Sequence, residues 1–170
     1  MNLFRLLLCR LENWRVLSAL KQQPLTFSRW QAVRHLACIR YLSSVEKAHL
    51  RVLTAVLLQQ KTFTGEQVLN LSDEMRLIIA AQACVPVLKL GLNYYSGFVQ
   101  VSVYPDAFWV ERDERDEAGI VHHRKALLSG ESWSRGPVIL SWKDIERDMR
   151  RDHEGHNVII HEFAHKIDML

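Results

Sequence analysis

The sequence has few cysteines and no long apolar run near its start. The three cysteines, Cys9, Cys38 and Cys84, are far apart, and no C-x-x-C pair occurs. This pattern indicates neither a disulfide framework nor a thiolate metal site, and we expect reduced thiols in a cytoplasmic protein. The longest apolar run of the N-terminal segment, residues 6–9, lies between two arginines. Neither an export signal nor a membrane span is therefore predicted, with an arginine-bearing amphipathic leader as the alternative.

The sequence also lacks a dense tract of basic residues. Lysine and arginine number 22 against 19 acidic residues, which gives a formal net charge of +3, and they are spread along the chain. Such a distribution forms no stripe that would follow a phosphate backbone, so no nucleic-acid partner is predicted. The composition is that of a globular protein, 48% hydrophobic and 24% charged. A chain of 170 residues is long enough for one domain with a core of its own.

Capping patterns predict that residues 28–91 are mainly helical. Two capping boxes open the first two predicted helices, Ser28 with Gln31 and Ser43 with Glu46. In the second helix one apolar stripe recurs at helical spacing, formed by Val45, Leu50, Leu53, Val56 and Leu57. Ser72 is predicted to cap a third helix, which is apolar almost all round and should be buried. Pro86 should bend or divide that helix, and Gly91 should mark its end.

Residues 92–170 have a different character. Val99, Val101 and Val103 alternate with polar residues, which is the period of a half-buried strand, and Pro105 should end that strand. The charged run ERDERDEAG favours a solvated turn or hairpin tip, and LSGESWSRG favours a turn. The segment PVILSW is predicted to be a second strand, followed by a short polar helix in KDIERDMRRDHEG. Helices followed by strands indicate an α+β organisation.

Near the C-terminus, His161, Glu162 and His165 form an H-E-x-x-H motif on a helix that Asn157 is predicted to cap. Residues four apart lie on one helix face, so both imidazoles can bind one ion at about 2.0–2.1 Å. Glu162 lies about 100° round the helix from His161, where it can take a proton from a water on the ion's open side. Zinc peptidases use this arrangement to attack a peptide carbonyl. The alternative is a pair of half-exposed helix histidines with no ion.

Several segments, in the same order, resemble the Mlc titration factor A family of zinc-dependent peptidases. They are DEMRLIIAAQACVPVLKLGLNYYSGFVQVSVYP, DEAGIVHH, LSGESWSRGPVILSW and NVIIHEFAHKID, and the similarity runs from about Trp30 to the last residue. The resemblance implies a zincin-like α+β fold over residues 1–170 as a single domain that lacks its closing C-terminal helices. The helical part would be 28–91, and the sheet with the metal-binding helix would be 92–170.

The resemblance also implies a function. His161 and His165 would be zinc ligands, Glu162 the general base, and the activity that of an aminopeptidase on small peptide-like substrates. Family members in enterobacteria also bind the glucose repressor Mlc and so regulate the sugar phosphotransferase system. The family's third zinc ligand is a glutamate on a later helix that these 170 residues do not include, so we expect impaired zinc binding and turnover. The alternatives are a non-catalytic binding protein for a transcriptional repressor and an inactive product of an interrupted gene.

Other residues of the chain are candidates to replace the third ligand. Asp168 returns to the face of His161 but lies about 10 Å along the helix axis, so a supporting or packing role is predicted for it. The remaining candidates are predicted to be solvated loop or strand-end residues: His153, Glu154 and His156 before the helix, and His122 and His123 in DEAGIVHH.

The strand PVILSW is the favoured candidate for a substrate-binding edge. In zincins an edge strand above the metal helix pairs with an extended substrate through main-chain hydrogen bonds. PVILSW lies just upstream of the motif helix in the sequence. The alternative is an ordinary internal strand of the core.

Overall fold

The computed structural model describes residues 25–106, 108–115, 121–128, 130–132, 136–151 and 155–168. Its elements, in chain order, are α1 Phe27–Gln31, α2 Ala37–Arg40, α3 Ser44–Gln60, β1 Thr62–Gly65, α4 Asp73–Ala83, a 3₁₀ helix Leu92–Tyr95, β2 Gln100–Tyr104, β3 Phe108–Arg115, β4 Val121–Leu128, β5 Gly130–Ser132, β6 Val138–Ser141, α5 Trp142–Arg150 and α6 Val158–Asp168. The mixture of helices and a small sheet agrees with the predicted class. Among the described residues, no helix combines the length and apolar character needed to cross a membrane.

The predicted helix after Ser28 is wrong in its start and in its length. Thr26 is the N-cap, and its hydroxyl accepts the backbone N–H of Arg29. The helix ends at Gln31, and a turn leads to the four-residue helix α2. Trp30 and Ile39 are both buried, yet in one continuous helix they would lie about 180° apart. Breaking the helix allows both side chains to face the core.

Helix α3 begins as predicted. Ser43 and Glu46 form a reciprocal capping box, and the hydrogen bond from the Ser43 backbone lowers the pKa of the Glu46 carboxyl. Leu50 and Leu57 of the predicted stripe are fully buried, but Val45 is 79% exposed because the first turn of the helix extends past the core.

Helix α4 is capped by Ser72 as predicted, and every residue from Leu77 to Ala83 is buried. The helical hydrogen bonding ends at Ala83, and the chain continues through turns that contain Pro86, so the proline follows the break rather than bending a longer helix. Gly91 follows with φ of 87°, a conformation that favours glycine. Cys38 and Cys84 are free thiols, as expected, and Cys9 lies outside the described residues.

A four-stranded sheet supports the motif helix, in the order β1-β2-β6-β5. β1, β2 and β6 are parallel, and β5 pairs antiparallel with β6. β1 was not predicted and lies within the stretch expected to be helical. PVILSW forms β6, an internal strand, so its prediction as the edge is wrong. β5, in the segment expected to be a turn, pairs with β6 alone among the described strands.

The strand β2 is more deeply buried than its alternating pattern indicates. Val101 and Val103 have no exposed surface, as predicted, and the strand ends before Pro105. Ser102, on the other face, is also buried, and its polar hydroxyl is satisfied: it lies 3.3 Å from the Thr64 hydroxyl and accepts the Gln100 amide at 3.0 Å. Val99, by contrast, is largely exposed.

The charged run ERDERDEAG belongs to the predicted hairpin. β3 and β4 pair antiparallel from Phe108↔Leu128 to Arg115↔Val121. Residues 111–115 are part of the first strand rather than of the turn, because the pairing continues through the charged residues. The tip, 116–120, lies outside the described residues. The polar segment after β6 forms the short helix α5, as predicted.

Candidate metal site

The motif lies on α6, whose first turn is held by a side chain that the sequence predicted. The carboxamide oxygen of Asn157 accepts the backbone N–H of Ile160 at 2.9 Å. The helix buries Val158, Ile159 and Phe163 against the core. Phe163 packs edge-on against Tyr95 and Phe98, with ring centroids 5.2 and 5.7 Å away. This aromatic cluster fixes which face of the helix points outward.

His161 and His165 lie side by side on the outward face. Both are exposed, and their Nε2 atoms are 3.1 Å apart, with the ring centroids 4.6 Å apart and the rings nearly perpendicular. Two nitrogens bound to one tetrahedral zinc at about 2.05 Å would lie about 3.3 Å apart. The separation of the two nitrogens is therefore close to the one that a shared ion requires, and imidazole nitrogen is a ligand that zinc accepts.

Glu162 lies between the two histidines in the sequence and is only 6% exposed. Lys166, one helical turn later on the same face, interacts electrostatically with Glu162. Burial lowers the pKa of the Lys166 ammonium, the Glu162 carboxylate raises it in part, and Lys61 lowers it further. Glu162 thus lies in an environment where few waters compete for its carboxylate.

Two buried lysines border this region, and the sequence analysis missed both. Lys166 Nζ donates to the carbonyl of Gly136 at 2.9 Å, and Lys61 Nζ donates to the carbonyls of Tyr95 and Phe98. Both ammonium groups approach the Phe98 ring, at 5.3 Å for Lys166 and 4.2 Å for Lys61. Burial lowers the pKa of Lys61. The i, i+4 spacing of Glu162 and Lys166 could have indicated from the sequence that Lys166 lies near the predicted general base. No pattern in the sequence indicates the position of Lys61.

Asp148 of α5 is a further residue that sequence reasoning missed. Its Oδ2 accepts the backbone N–H of Val158 at 2.8 Å and lies 3.0 Å from His156 Nδ1. A carboxylate at a helix N-terminus satisfies an open N–H and interacts favourably with the helix dipole. His156 is exposed, as predicted, and its described partner is Asp148.

No substitute for the third ligand is found in the described part of the chain. No group of three or more potential ligand residues is placed there to hold an ion. Asp168 is exposed at the end of α6, which does not support a packing role. His122 and His123 are near the start of β4, opposite Glu114 and Asp113 in register. His153 and Glu154 lie outside the described residues.

The strand β5 lies at one edge of the four-stranded sheet and contacts the motif helix. Residues of β5 and α6 contact each other, and β6 and the 3₁₀ helix also contact α6. Since β5 pairs only with β6 among the described strands, its other side is where an added strand would pair.

Comparison with known proteins identifies the family of this chain. The sequence profile of the glucose-regulated metallo-peptidase M90 family matches residues 11–170. Mlc titration factor A of Klebsiella pneumoniae is 38% identical over 139 residues, which are 82% of this chain and 52% of that protein. The Escherichia coli protein of the same name is 37% identical over 155 residues, 91% of this chain and 57% of that protein.

A third relative has no functional name. An uncharacterized protein of Synechocystis is 42% identical over 160 residues, 92% of this chain and 58% of its own length. The chain thus spans about half the length of these curated relatives. With a family profile that covers nearly all of the chain, it belongs to the glucose-regulated metallo-peptidase M90 family.

Proposed function

We propose that this chain carries the metal-binding helix of a zinc-dependent peptidase with a zincin-like fold. The observation that supports this proposal most directly is the 3.1 Å separation of the His161 and His165 Nε2 atoms on an exposed helix face. In this proposal both imidazoles bind zinc, and Glu162 is the general base. Family membership supports a metallopeptidase, while zinc itself is proposed from the two imidazole ligands.

The residues divide the chemistry between them. When bound, zinc would supply Lewis acidity, lowering the pKa of a coordinated water and polarising a carbonyl. Glu162 would hold a proton taken from the attacking water and deliver it to the leaving amine. Burial of Glu162 beside Lys166 restricts how the carboxylate can turn and limits competing water. Asn157 and Asp148 hold the first turn of the helix and so keep the two imidazoles in register with the sheet.

For the substrate, we propose a small extended peptide that pairs with the outer edge of β5. A peptide bound in this way continues the sheet through main-chain hydrogen bonds, and its scissile bond would pass across the adjacent face of α6. This assigns to β5 the role that the sequence analysis gave to PVILSW. Cleavage next to the peptide's N-terminus, as in an aminopeptidase, is the form of the activity that we propose.

The name shared by the Klebsiella and Escherichia relatives leads to a proposed partner. We propose that this chain binds an Mlc-type glucose repressor and thereby affects regulation of the glucose phosphotransferase system. A repressor partner would place the protein in the cytoplasm. The test is calorimetric titration of purified Mlc with this chain; no heat of binding at concentrations of about 50 μM would remove the partner proposal and leave the peptidase proposal unaffected.

Zinc titration tests the proposed metal site directly. We expect His161→Ala and His165→Ala each to abolish one-to-one zinc binding by this chain, while His49→Ala, an exposed histidine of α3, leaves it unchanged. Zinc binding that survives both motif variants would refute the assignment.

A fusion separates ligand number from ligand identity. With two histidines as its described ligands, the 170-residue chain should bind zinc at least 10²-fold more weakly than a fusion to the downstream half of Klebsiella Mlc titration factor A. The fusion should also hydrolyse aminoacyl test substrates. Equal zinc affinity of the two proteins would mean that the 170 residues contain a third ligand, and Asp168→Ala would test the nearest candidate.

A further inference from the structure

A cavity of about 350 Å³ lies behind the first turn of α6, separate from the histidine pair. It is bounded by α2, α4 and α5, and six of its lining residues are Leu36, Arg40, Gln82, Met149, His156 and Ile160. Ile160 precedes His161, but the two residues face directions about 100° apart around the helix. The cavity volume is in the range of small-molecule sites. Neither the metal nor the substrate proposed above uses this space.

The orientation of one buried carboxamide in the cavity wall is fixed by its neighbours. Asn157 must direct its oxygen to the Ile160 N–H, so its amide nitrogen is the donor to Gln82 Oε1 at 2.6 Å. The Cys38 thiol donates to the same oxygen at 3.8 Å. The NH₂ group of Gln82 is therefore turned away from both residues. Gln82 is only 3% exposed, and the hydrogen bonds described for it all involve its oxygen.

The Gln82 NH₂ group is a donor, and an acceptor oxygen of a ligand in the cavity could receive its hydrogen bond. Arg40 brings a guanidinium to the same cavity, stacked at 4.8 Å on the Tyr41 ring. Asp148 also lines the cavity, but its carboxylate is already engaged by Val158 and His156 and lies 3.9 Å from the Arg147 guanidinium. The polar side of the cavity is therefore suited to a carboxylate.

The opposite side of the cavity is apolar. Leu36, Met149 and Ile160 line it, and each is half-buried, so each has surface left to cover. A side chain of leucine size would remove that surface from water.

We propose that this cavity binds a small carboxylate with an apolar side chain, of the chemical class of an amino acid or its N-acyl derivative. The carboxylate accepts from Gln82 and pairs with Arg40, and the side chain packs against Leu36, Met149 and Ile160. The ligand would contact the capping network of α6 through Gln82.

The probe is N-acetyl-leucine, titrated into the full chain in the presence of EDTA and followed by protein NMR. We expect saturable binding with a Kd on the order of 1 mM. Arg40→Gln should weaken it at least tenfold, whereas Arg34→Gln, an exposed arginine outside the cavity lining, should not change it. Because zinc is absent, the result does not depend on the proposed peptidase site.

Two further measurements make the outcome decisive. Gln82→Glu keeps an acceptor for Asn157 but replaces the donor with a negative charge, and it should abolish binding in a chain whose circular dichroism is unchanged. If that variant does not fold, Arg40→Gln carries the test alone. N-acetyl-leucine amide should bind at least tenfold more weakly than the acid. Absence of saturable binding, equal binding of acid and amide, or full binding by Arg40→Gln would each overturn the proposal.

Discussion

Asp148 Oδ2 accepts the backbone N–H of Val158 at 2.8 Å and thereby joins the end of α5 to the start of the motif helix. The carboxylate is 8% exposed, so water competes weakly for this hydrogen bond. Val158 is three residues before His161, and the position of the first turn determines where both imidazoles point. The stability of α6 and the geometry of the metal site are therefore linked through one carboxylate.

Removing this carboxylate should destabilise the chain. We expect Asp148→Ala to lower the free energy of unfolding by about 1–3 kcal/mol, since a buried N–H loses its acceptor and the helix dipole loses its counter-charge. Asp106→Ala is a matched control, because Asp106 is 57% exposed and pairs with Lys143 in solvent, so its loss should cost about 0.5 kcal/mol or less. Urea denaturation followed by circular dichroism measures both. Equal effects of the two substitutions would contradict the capping role.

Substitution of the general base should separate binding from turnover. In the fusion described above, Glu162→Gln should leave zinc affinity within about threefold of the parent and reduce kcat by at least 10². The amide retains the size of the carboxylate but cannot accept a proton. Glu66→Gln, in the loop after β1, provides a matched control with an expected kcat equal to that of the parent. Unchanged hydrolysis by the Glu162 variant would show that another group is the base.

The buried ammonium of Lys61 should make stability depend on pH. Burial lowers the pKa of Lys61 in the folded chain below its ordinary value of 10.5. Between these two pKa values the unfolded chain binds more protons, so the wild type should gain stability relative to Lys61→Met as the pH rises towards 10.5. Tyr95, whose pKa is raised by burial, is present in both proteins and largely cancels in the difference.

Chemical denaturation at pH 8 and pH 10 would check this prediction. Lys89→Met, at an exposed position, should give the same stability difference at both pH values. The measured quantity is the free energy of unfolding of the wild type minus that of Lys61→Met. If it stays constant or falls as the pH rises, burial does not lower the pKa of the Lys61 ammonium.

The aromatic cluster should contribute strongly to the attachment of the motif helix. Phe163 has no exposed surface and contacts Tyr95 and Phe98, so Phe163→Ala should cost about 3–5 kcal/mol. Phe27→Ala, at a residue that is 63% exposed, should cost about 0.5 kcal/mol or less. Thermal unfolding of the two variants measures the contrast. A loss below 1 kcal/mol for Phe163→Ala would mean that α6 is held mainly by other contacts.

Features that depend on neighbours in the sequence were predictable. The Ser43–Glu46 box, the Ser72 cap and the Asn157 cap all appear where the sequence placed them. The two histidines face one way because four residues make about one helical turn, whatever the rest of the chain does. These interactions span at most four residues, so the local sequence contains all the information that they require.

The tertiary structure decided what surrounds those features. The apolar sequence of β6 is compatible with an internal strand and with a covered edge strand. Its pairing with both β2 and β5 makes it internal. In the sequence, Lys61 and Asp148 resemble ordinary surface charges. In the fold, Lys61 donates to backbone carbonyls, and Asp148 accepts a backbone N–H at the N-terminus of α6. Burial and charge pairing arise between residues far apart in the sequence, so the local sequence does not determine which distant groups come into contact.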